Sequence, residues 1–167
     1  MQLMHPLVSE AMKKAAIAWL TVGDSRPYGV WCLWQDDALY VVSGPGEQPA
    51  PGLDTATRAI VTARGDSGGQ IVSWPARVSR LTPEDELWEQ VVPTLASKRL
   101  NLPADEDTPA RWAAECLVSR LVPDGDPASG EALPDSSLAA PPLPTPAARR
   151  TANPFRLHKV RGARRER

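Results

Sequence analysis

The chain has 167 residues, 42% of them hydrophobic and 23% charged, which suits one domain with a core of its own. Two cysteines are too few for a disulfide framework, and no apolar run is long enough to cross a bilayer. The net charge of −1 conceals a basic end, because residues 149–167 contain eight Lys or Arg and one Glu. Since the N-terminus also lacks a leader-like pattern, we expect a cytoplasmic protein rather than a secreted or membrane-bound one.

The first part of the chain predicts one helix and then a series of strands. Pro6 suits the first helical turn, and Val8, Met12, Ala15 and Trp19 recur at helical spacing. Short apolar or alternating segments follow, separated by turns rich in Gly, Pro and Asp. The six predicted strands cover residues 17–22, 28–34, 38–43, 59–64, 70–81 and 116–122.

Two further helices are predicted between the fifth and the sixth strand. Thr82 and Thr108 are each followed by a proline, the arrangement of an N-cap and a first helical residue. Pro93 is expected to kink the first of these helices near its middle. Pro75 removes a ladder hydrogen bond from the fifth strand, so a bulge or a sheet edge is expected there.

The composition changes after the last predicted strand. Residues 1–123 are predicted to form the folded domain, and residues 124–148, rich in Pro, Ala and Ser, to form a linker. The basic tail of residues 149–167 could contact nucleic acid, but it lacks interleaved aromatic residues. A solubilising tail, or one that folds back on the acidic body, is the favoured interpretation. We therefore expect neither a nucleic-acid nor a membrane partner.

Four motifs, taken in order, resemble one known family. They are His5-Pro-Leu7, the apolar run at 28–34, Ala38-Leu-Tyr-Val-Val-Ser-Gly44 and Gln70-Ile-Val-Ser-Trp74. Together they resemble the pyridoxamine 5′-phosphate oxidase-like, FMN-binding split-barrel family over residues 5–122, and look closest to its small actinobacterial branch. The resemblance implies a mainly β fold with flanking helices, a six-stranded split β-barrel, and a homodimer with ligand sites at the subunit interface. Family members bind FMN, the deazaflavin F420 or haem, or have no established cofactor.

The sequence departs from the family where the flavin phosphate is usually held. FMN-binding members use basic side chains at the end of the second strand and in a segment after the third. Here these positions are Trp34 and the segment 46–49, Gly-Glu-Gln-Pro, which contain no cation. A phosphate needs charge-assisted donors, usually Arg or Lys. Arg58 and Gln70 do fall where members often have an arginine and a glutamine, so the pattern is kept in part.

The resemblance implies a set of residues that contact a cofactor. Arg58 would bind its phosphate, Gln70 would hydrogen-bond its ring, and the tryptophans would form its walls. The same tryptophans could instead fill a barrel core or a dimer interface. The full set of candidates is Trp31, Trp34, Ser43, Gly44, Gln48, Arg58, Gln70 and Trp74.

The Gly/Pro loop, residues 44–52, has two interpretations. It could cradle a phosphate with backbone N–H groups, although Pro45, Pro49 and Pro51 remove three of these donors. The alternative is a rigid surface loop. A further source of cations would be Arg156, Lys159 or Arg161 of the basic tail, reaching the partner subunit.

Two functions stay open. The first is a flavin- or F420-dependent oxidoreductase of unknown substrate, in which the cofactor carries the chemistry and no catalytic residue can be named. The second is a non-catalytic dimer that has lost flavin binding and binds haem or another flat ligand. Cys32 and Cys116 are expected to be buried structural thiols. With only His5 and His158, neither a metal site nor a hydrolytic triad is expected.

Overall fold

The computed structural model describes residues 5–102 and 107–133, so the basic tail and most of the predicted linker lie outside the described residues. In chain order the elements are α1 (Pro6–Lys14), β1 (Ile17–Thr21), β2 (Tyr28–Trp31), β3 (Leu33–Gln35), β4 (Ala38–Ser43), β5 (Arg58–Arg64), β6 (Gln70–Leu81), α2 (Glu86–Lys98), α3 (Thr108–Glu115), β7 (Leu117–Pro123) and β8 (Ala128–Ser129), followed by a 3₁₀ turn (Gly130–Ala132).

All the strands belong to one antiparallel sheet that curls into a half-barrel. Its order is β2-β1-β5-β6-β7-β4-β3, and β8 is added beside β6. Neighbours along the chain form hairpins, as in β1–β2, β3–β4 and β5–β6. Strands β4 and β7 also pair, although β5, β6, α2 and α3 lie between them along the chain.

The predicted number of six strands is wrong, because the described residues contain eight. The apolar run at 28–34 is divided at Cys32: β2 pairs with β1, whereas β3 pairs with β4. These two strands lie at opposite ends of the sheet order, so one continuous run supplies both ends. Apolarity alone does not reveal where a strand changes its partner. The eighth strand, β8, lies within the predicted linker and pairs with Val72 and Ser73.

Helix α1 forms as predicted but ends earlier. The Nδ1 atom of His5 accepts a hydrogen bond from the Leu7 N–H at 3.3 Å and caps the helix. Val8 and Met12 are buried. The helix stops at Lys14, so Trp19 belongs to β1 and not to the helical face that the spacing predicted.

Helix α2 begins four residues after the predicted cap. The Thr82 hydroxyl and backbone N–H both donate to Asp85 Oδ2, at 3.0 and 2.7 Å, so a separate turn precedes the helix. Asp85 is the N-cap residue, and the helix runs through Pro93 to Lys98. In α3, Asp107 replaces Thr108 as the cap, and its side chain accepts from the Ala110 N–H at 3.2 Å.

Pro75 lies where β6 exchanges one neighbour for another. It faces Ile60 in the β5 ladder, while the register shift falls between Ala63 and Arg64. On the opposite side, β6 pairs with β7 only from residue 76 and with β8 only up to residue 73. The missing N–H of Pro75 therefore costs no ladder bond there, and its carbonyl accepts from the Asp124 N–H at 2.9 Å.

Two buried clusters lie on opposite faces of the curled sheet. The first fills the half-barrel under α1, and the second lies between the sheet and helices α2 and α3. A third surface, the outer face of β1, β5 and β6, is not covered by any described element, and Ile17, Ile60 and Ile71 are 40–46% exposed on it. None of the described helices has the length and apolar character needed to span a membrane.

Candidate functional site

A cavity of about 630 Å³ opens at the junction of β2 and β3. We call it the tryptophan cavity, because Trp31 and Trp34 belong to its wall together with the ends of α1 and α2. Its cationic lining residues are Lys13, Lys14, Lys98 and Arg99. The lysines occupy the last turns of the two helices, where they also complement the helix dipoles. Two indoles and four cations suit a flat ligand that carries negative charge.

Trp31 is held in place by the side chain of Gln48. The Gln48 Oε1 atom accepts from the Trp31 N–H at 2.8 Å, and Nε2 donates to the Trp31 carbonyl at 2.9 Å and to the Val42 carbonyl at 3.1 Å. The side-chain amide of Gln48 therefore forms hydrogen bonds with the backbone of β2 and of β4. These hydrogen bonds fix the middle of the Gly/Pro loop against the wall of the cavity.

Trp34 packs against Trp74, which lies deeper in the half-barrel. Their ring centroids are 5.8 Å apart in an edge-to-face arrangement. Trp74 is buried in the core and lines a different cavity, and its Nε1 atom has no hydrogen-bond partner among the described residues. Trp74 thus supports the wall that Trp34 forms.

Cys32 lies between the two tryptophans of the cavity wall but is not poised for chemistry. Burial raises the pKa of its thiol to about 12, although the Ala18 backbone and the charge of Lys98 act in the opposite direction. At neutral pH the group is a protonated thiol, and a thiol is a weak nucleophile. The cavity therefore offers a binding surface without a thiolate.

The Gly/Pro loop carries a buried carboxylate instead of a cation. Glu47 accepts hydrogen bonds from Arg99 Nε at 2.7 Å, Arg111 Nη2 at 2.6 Å and Trp112 Nε1 at 3.0 Å, and its side chain is 0% exposed. We call these four residues the Glu47 cluster. Burial alone would raise the pKa of the Glu47 carboxyl, but the three hydrogen bonds and the charge of Arg99 outweigh it, so the pKa lies below its usual range.

Ser43 and Gly44 line a second cavity, of about 660 Å³, beside the Gly/Pro loop. Gly44 has a φ of +138°, and a Cβ atom there would lie 3.1 Å from the Cα of Cys116. The glycine is therefore required by close packing against the end of α3. Among the charged residues of this cavity, Arg80 is outnumbered by the acidic Glu47, Asp54 and Glu115. This donor set does not suit a phosphate.

The remaining candidates lie elsewhere on the surface. Arg58 Nη2 forms an ion pair with Asp124 at 2.9 Å, and its side chain is 71% exposed. Gln70 lines a shallow groove of about 220 Å³ with Ile60 and Arg64 on the outer face of the sheet. The structure thus brings Trp31 and Trp34 together and, separately, Ser43 and Gly44. Within one described chain, Arg58 and Gln70 line neither of these two cavities.

Sequence reasoning missed the cations of the tryptophan cavity. Lys98 and Arg99 come from the end of α2, far along the chain from Trp31. The only signal was the basic pair Lys98-Arg99 between the fifth and the sixth predicted strand, and helix dipoles explain such pairs at helix ends without any ligand.

Several solved structures share this fold. The heme storage protein HutZ from Vibrio cholerae has a TM-score of 0.52 at 14% identity, over 74% of this chain and 92% of that one. The conserved hypothetical protein Rv2991 from Mycobacterium tuberculosis has a TM-score of 0.52 at 16% identity, over 86% and 92%. A FAD-binding protein from Mesorhizobium loti has a TM-score of 0.48 at 17% identity, over 71% and 86%. No protein-family model and no curated protein matches the sequence.

The sheet order, the three helices of the described residues and the likenesses to HutZ and Rv2991 define the class of fold. It is a split barrel, mainly β with flanking helices. This confirms the fold that the sequence resemblance implied. The place of the chain in the actinobacterial branch stays a prediction.

Proposed function

We propose that the protein binds a flavin or the deazaflavin F420 in the tryptophan cavity and acts as an oxidoreductase on a substrate still to be identified. The observation that carries this proposal is the combination of Trp31 and Trp34 with four cationic side chains around one cavity. A flavin mononucleotide or F420 needs both features, because its ring is flat and its phosphate is anionic.

The residues of the cavity divide into two groups by what they would bind. Trp31 and Trp34 would lie against the ring, while Lys98 and Arg99 would hold the anionic part of the ligand. When bound, the cofactor supplies the hydride chemistry, and the protein contributes position and electrostatics. This division agrees with the absence of a carboxylate, a histidine or a thiolate among the described residues of the cavity wall.

We further propose that the protein is a homodimer with its ligand sites at the subunit interface. Ile17, Ile60 and Ile71 expose apolar surface on one uncovered face of the sheet, and exposed apolar patches mark interaction sites. Ile17 also lines the tryptophan cavity, so the uncovered face and the cavity are continuous. The Gln70 groove lies on this same face, so a partner packed there would cover it.

Absorbance spectroscopy tests the cofactor. Purified protein is scanned as isolated and after addition of FMN and of F420, and free cofactor is removed by gel filtration. Retained flavin or deazaflavin bands support the proposal, and Trp31→Ala should then lose retention while Leu87→Ala, a half-buried apolar residue of α2 outside the cavity lining, should not lose it. A protein that retains neither cofactor contradicts the proposal.

Haem is the second candidate ligand, in a dimer without catalysis. The lack of a cation in the Gly/Pro loop favours this ligand. HutZ, whose solved structure has a similar fold, is a heme storage protein. Haem is also flat and carries two carboxylates, so the same cavity would suit it. A Soret band after haem addition, without retention of either flavin, would favour this function. A cytoplasmic location and the predicted domain boundaries stay predictions.

A further inference from the structure

We propose that Arg99 is the residue that anchors the anionic group of the ligand in the tryptophan cavity, and that Glu47 positions it. This inference rests on the proposed function, since it names the anchor for the same ligand. The Gly/Pro loop has no cation between residues 44 and 52. The carboxylate of Glu47 in this loop instead binds the guanidinium of Arg99 at the end of α2.

Contacts with protein atoms orient the guanidinium of Arg99 and leave part of its N–H groups available to a ligand. Its Nε donates to Glu47 Oε2 at 2.7 Å, one Nη donates to the Leu100 carbonyl at 2.5 Å, and the second Nη donates to the Gly46 carbonyl at 3.3 Å. A guanidinium carries five N–H groups, so the contacts within the described residues leave two. The side chain is 25% exposed, lines the cavity, and has its Cζ 5.8 Å from the Trp31 ring centroid. Its guanidinium therefore lies beside the indole that would hold the ring, at the border between this cavity and a neighbouring one lined by Gly46 and Arg111.

The charges of the Glu47 cluster support the same conclusion. One buried carboxylate is shared by two guanidinium groups, those of Arg99 and Arg111. The cluster therefore carries one net positive charge even though the loop contributes a negative one. A planar guanidinium held in one orientation can bind a phosphate or carboxylate with two parallel hydrogen bonds, which a lysine cannot do.

Gln48 ties this anchor to the ring-binding wall. Gln48 holds the backbone of Trp31, and the preceding residue, Glu47, holds Arg99. Two consecutive loop residues therefore set the distance between the indole and the cation. The loop acts on the ligand through the residues that it positions.

Ligand affinity in matched variants tests the assignment. FMN is titrated into the wild type, Arg99→Gln and Lys98→Gln, which remove the same charge from neighbouring residues of one cavity. Loss of an oriented, charge-assisted contact should weaken binding by about tenfold or more in Arg99→Gln, and by a clearly smaller factor in Lys98→Gln. Equal losses in the two variants would overturn the assignment, because a diffuse positive potential would then suffice.

A double-mutant cycle separates positioning from general stability. Glu47→Gln should weaken FMN binding in the wild-type background and have little further effect in Arg99→Gln, because both changes remove the same contact. Glu89→Gln, on the exposed side of α2, should leave affinity unchanged. Independent, additive losses from Glu47→Gln and Arg99→Gln would contradict the positioning role.

A second measurement does not depend on flavin binding. In protein labelled with ¹⁵N-arginine, inorganic pyrophosphate should shift the Arg99 Nε–H resonance of the wild type, and this response should be lost in Glu47→Gln. If the wild type fails to retain FMN, F420 and haem but shows the shift, the proposed function fails and the anchor stands. If flavin is retained and pyrophosphate causes no shift, the anchor is wrong and the function stands.

Discussion

Two carboxylates in this protein each bind a pair of arginines, and they differ in burial. Glu47 is fully buried, and its partners Arg99 and Arg111 are 25% and 21% exposed. Asp124 is 20% exposed, and Arg58 and Arg77 are 71% and 68% exposed. The first group joins the Gly/Pro loop to α2 and α3, whereas the second joins the start of β5, the interior of β6 and the residue after β7 at the surface.

The difference shows that the same pairing of charges has different consequences at the two places. Water screens the ion pairs of Asp124, and such pairs contribute little to stability. At Glu47 the surrounding protein excludes water, and removal of the carboxylate would leave two guanidinium groups facing a buried gap. The buried group can therefore determine where a loop and a cavity residue lie, and the surface group cannot.

The largest predicted effect is the loss of the buried carboxylate. Glu47→Ala should lower the free energy of unfolding by about 3–5 kcal/mol, because it leaves two largely buried guanidinium groups without their carboxylate. Denaturation by urea measures this change. Glu89→Ala, which removes an exposed carboxylate from α2, is the control and should change stability by less than about 0.5 kcal/mol. A Glu47→Ala protein as stable as this control would show that the cluster contributes no stability.

The pH dependence of stability should reveal the same group. The pKa of Glu47 is lowered in the folded protein, so its contribution is complete above the pKa of an unfolded glutamate. This contribution is lost as the pH falls from that value through the lower pKa of the folded state. The difference in unfolding free energy between the wild type and Glu47→Gln should therefore shrink on acidification below about pH 4. A difference that grows there would contradict the assigned direction.

Gln48 should have the next largest effect. Gln48→Ala removes three hydrogen bonds and leaves the backbone N–H and carbonyl of Trp31 without their partners. We expect a loss of about 2 kcal/mol in unfolding free energy, together with weaker ligand binding because the indole is no longer held. Gln35→Ala, which removes one exposed side-chain contact to Asp36, is a matched control. Equal effects of the two variants would contradict the role of Gln48.

The individual strands and helices could be predicted because they are encoded locally, whereas the split barrel was implied by the resemblance. Alternation in residues 70–81 and the apolar run at 38–43 mark β6 and β4 without knowledge of their partners. The division of residues 28–34 into two strands could not be predicted, since it depends on which strands pair. The late start of α2 likewise follows from one side-chain contact, between Thr82 and Asp85.

The site was less predictable, because it depends on contacts that are distant in sequence. Trp31 and Trp34 could be suggested from a single apolar run of the sequence, but Arg99 reaches the cavity from 65 or more residues away. In the sequence, the acidic Glu47 indicated only that segment 46–49 lacks the cation that binds the phosphate in FMN-binding members of the family. The structure shows that a carboxylate at this position attracts two arginines from other elements.

The smallest effect is predicted for Arg58, the residue that the family resemblance placed on the flavin phosphate. Its ion pair with Asp124 is exposed, so Arg58→Ala should lower the unfolding free energy by less than about 1 kcal/mol, and less still in high salt. Cofactor retention by this variant separates two roles. If Arg58 acts only at the surface of its own subunit, retention is unchanged and Arg58 does not belong to the site. If the partner subunit brings it to the tryptophan cavity, retention falls without a matching loss of stability, and Arg77→Ala, which removes the other arginine from Asp124, retains the cofactor.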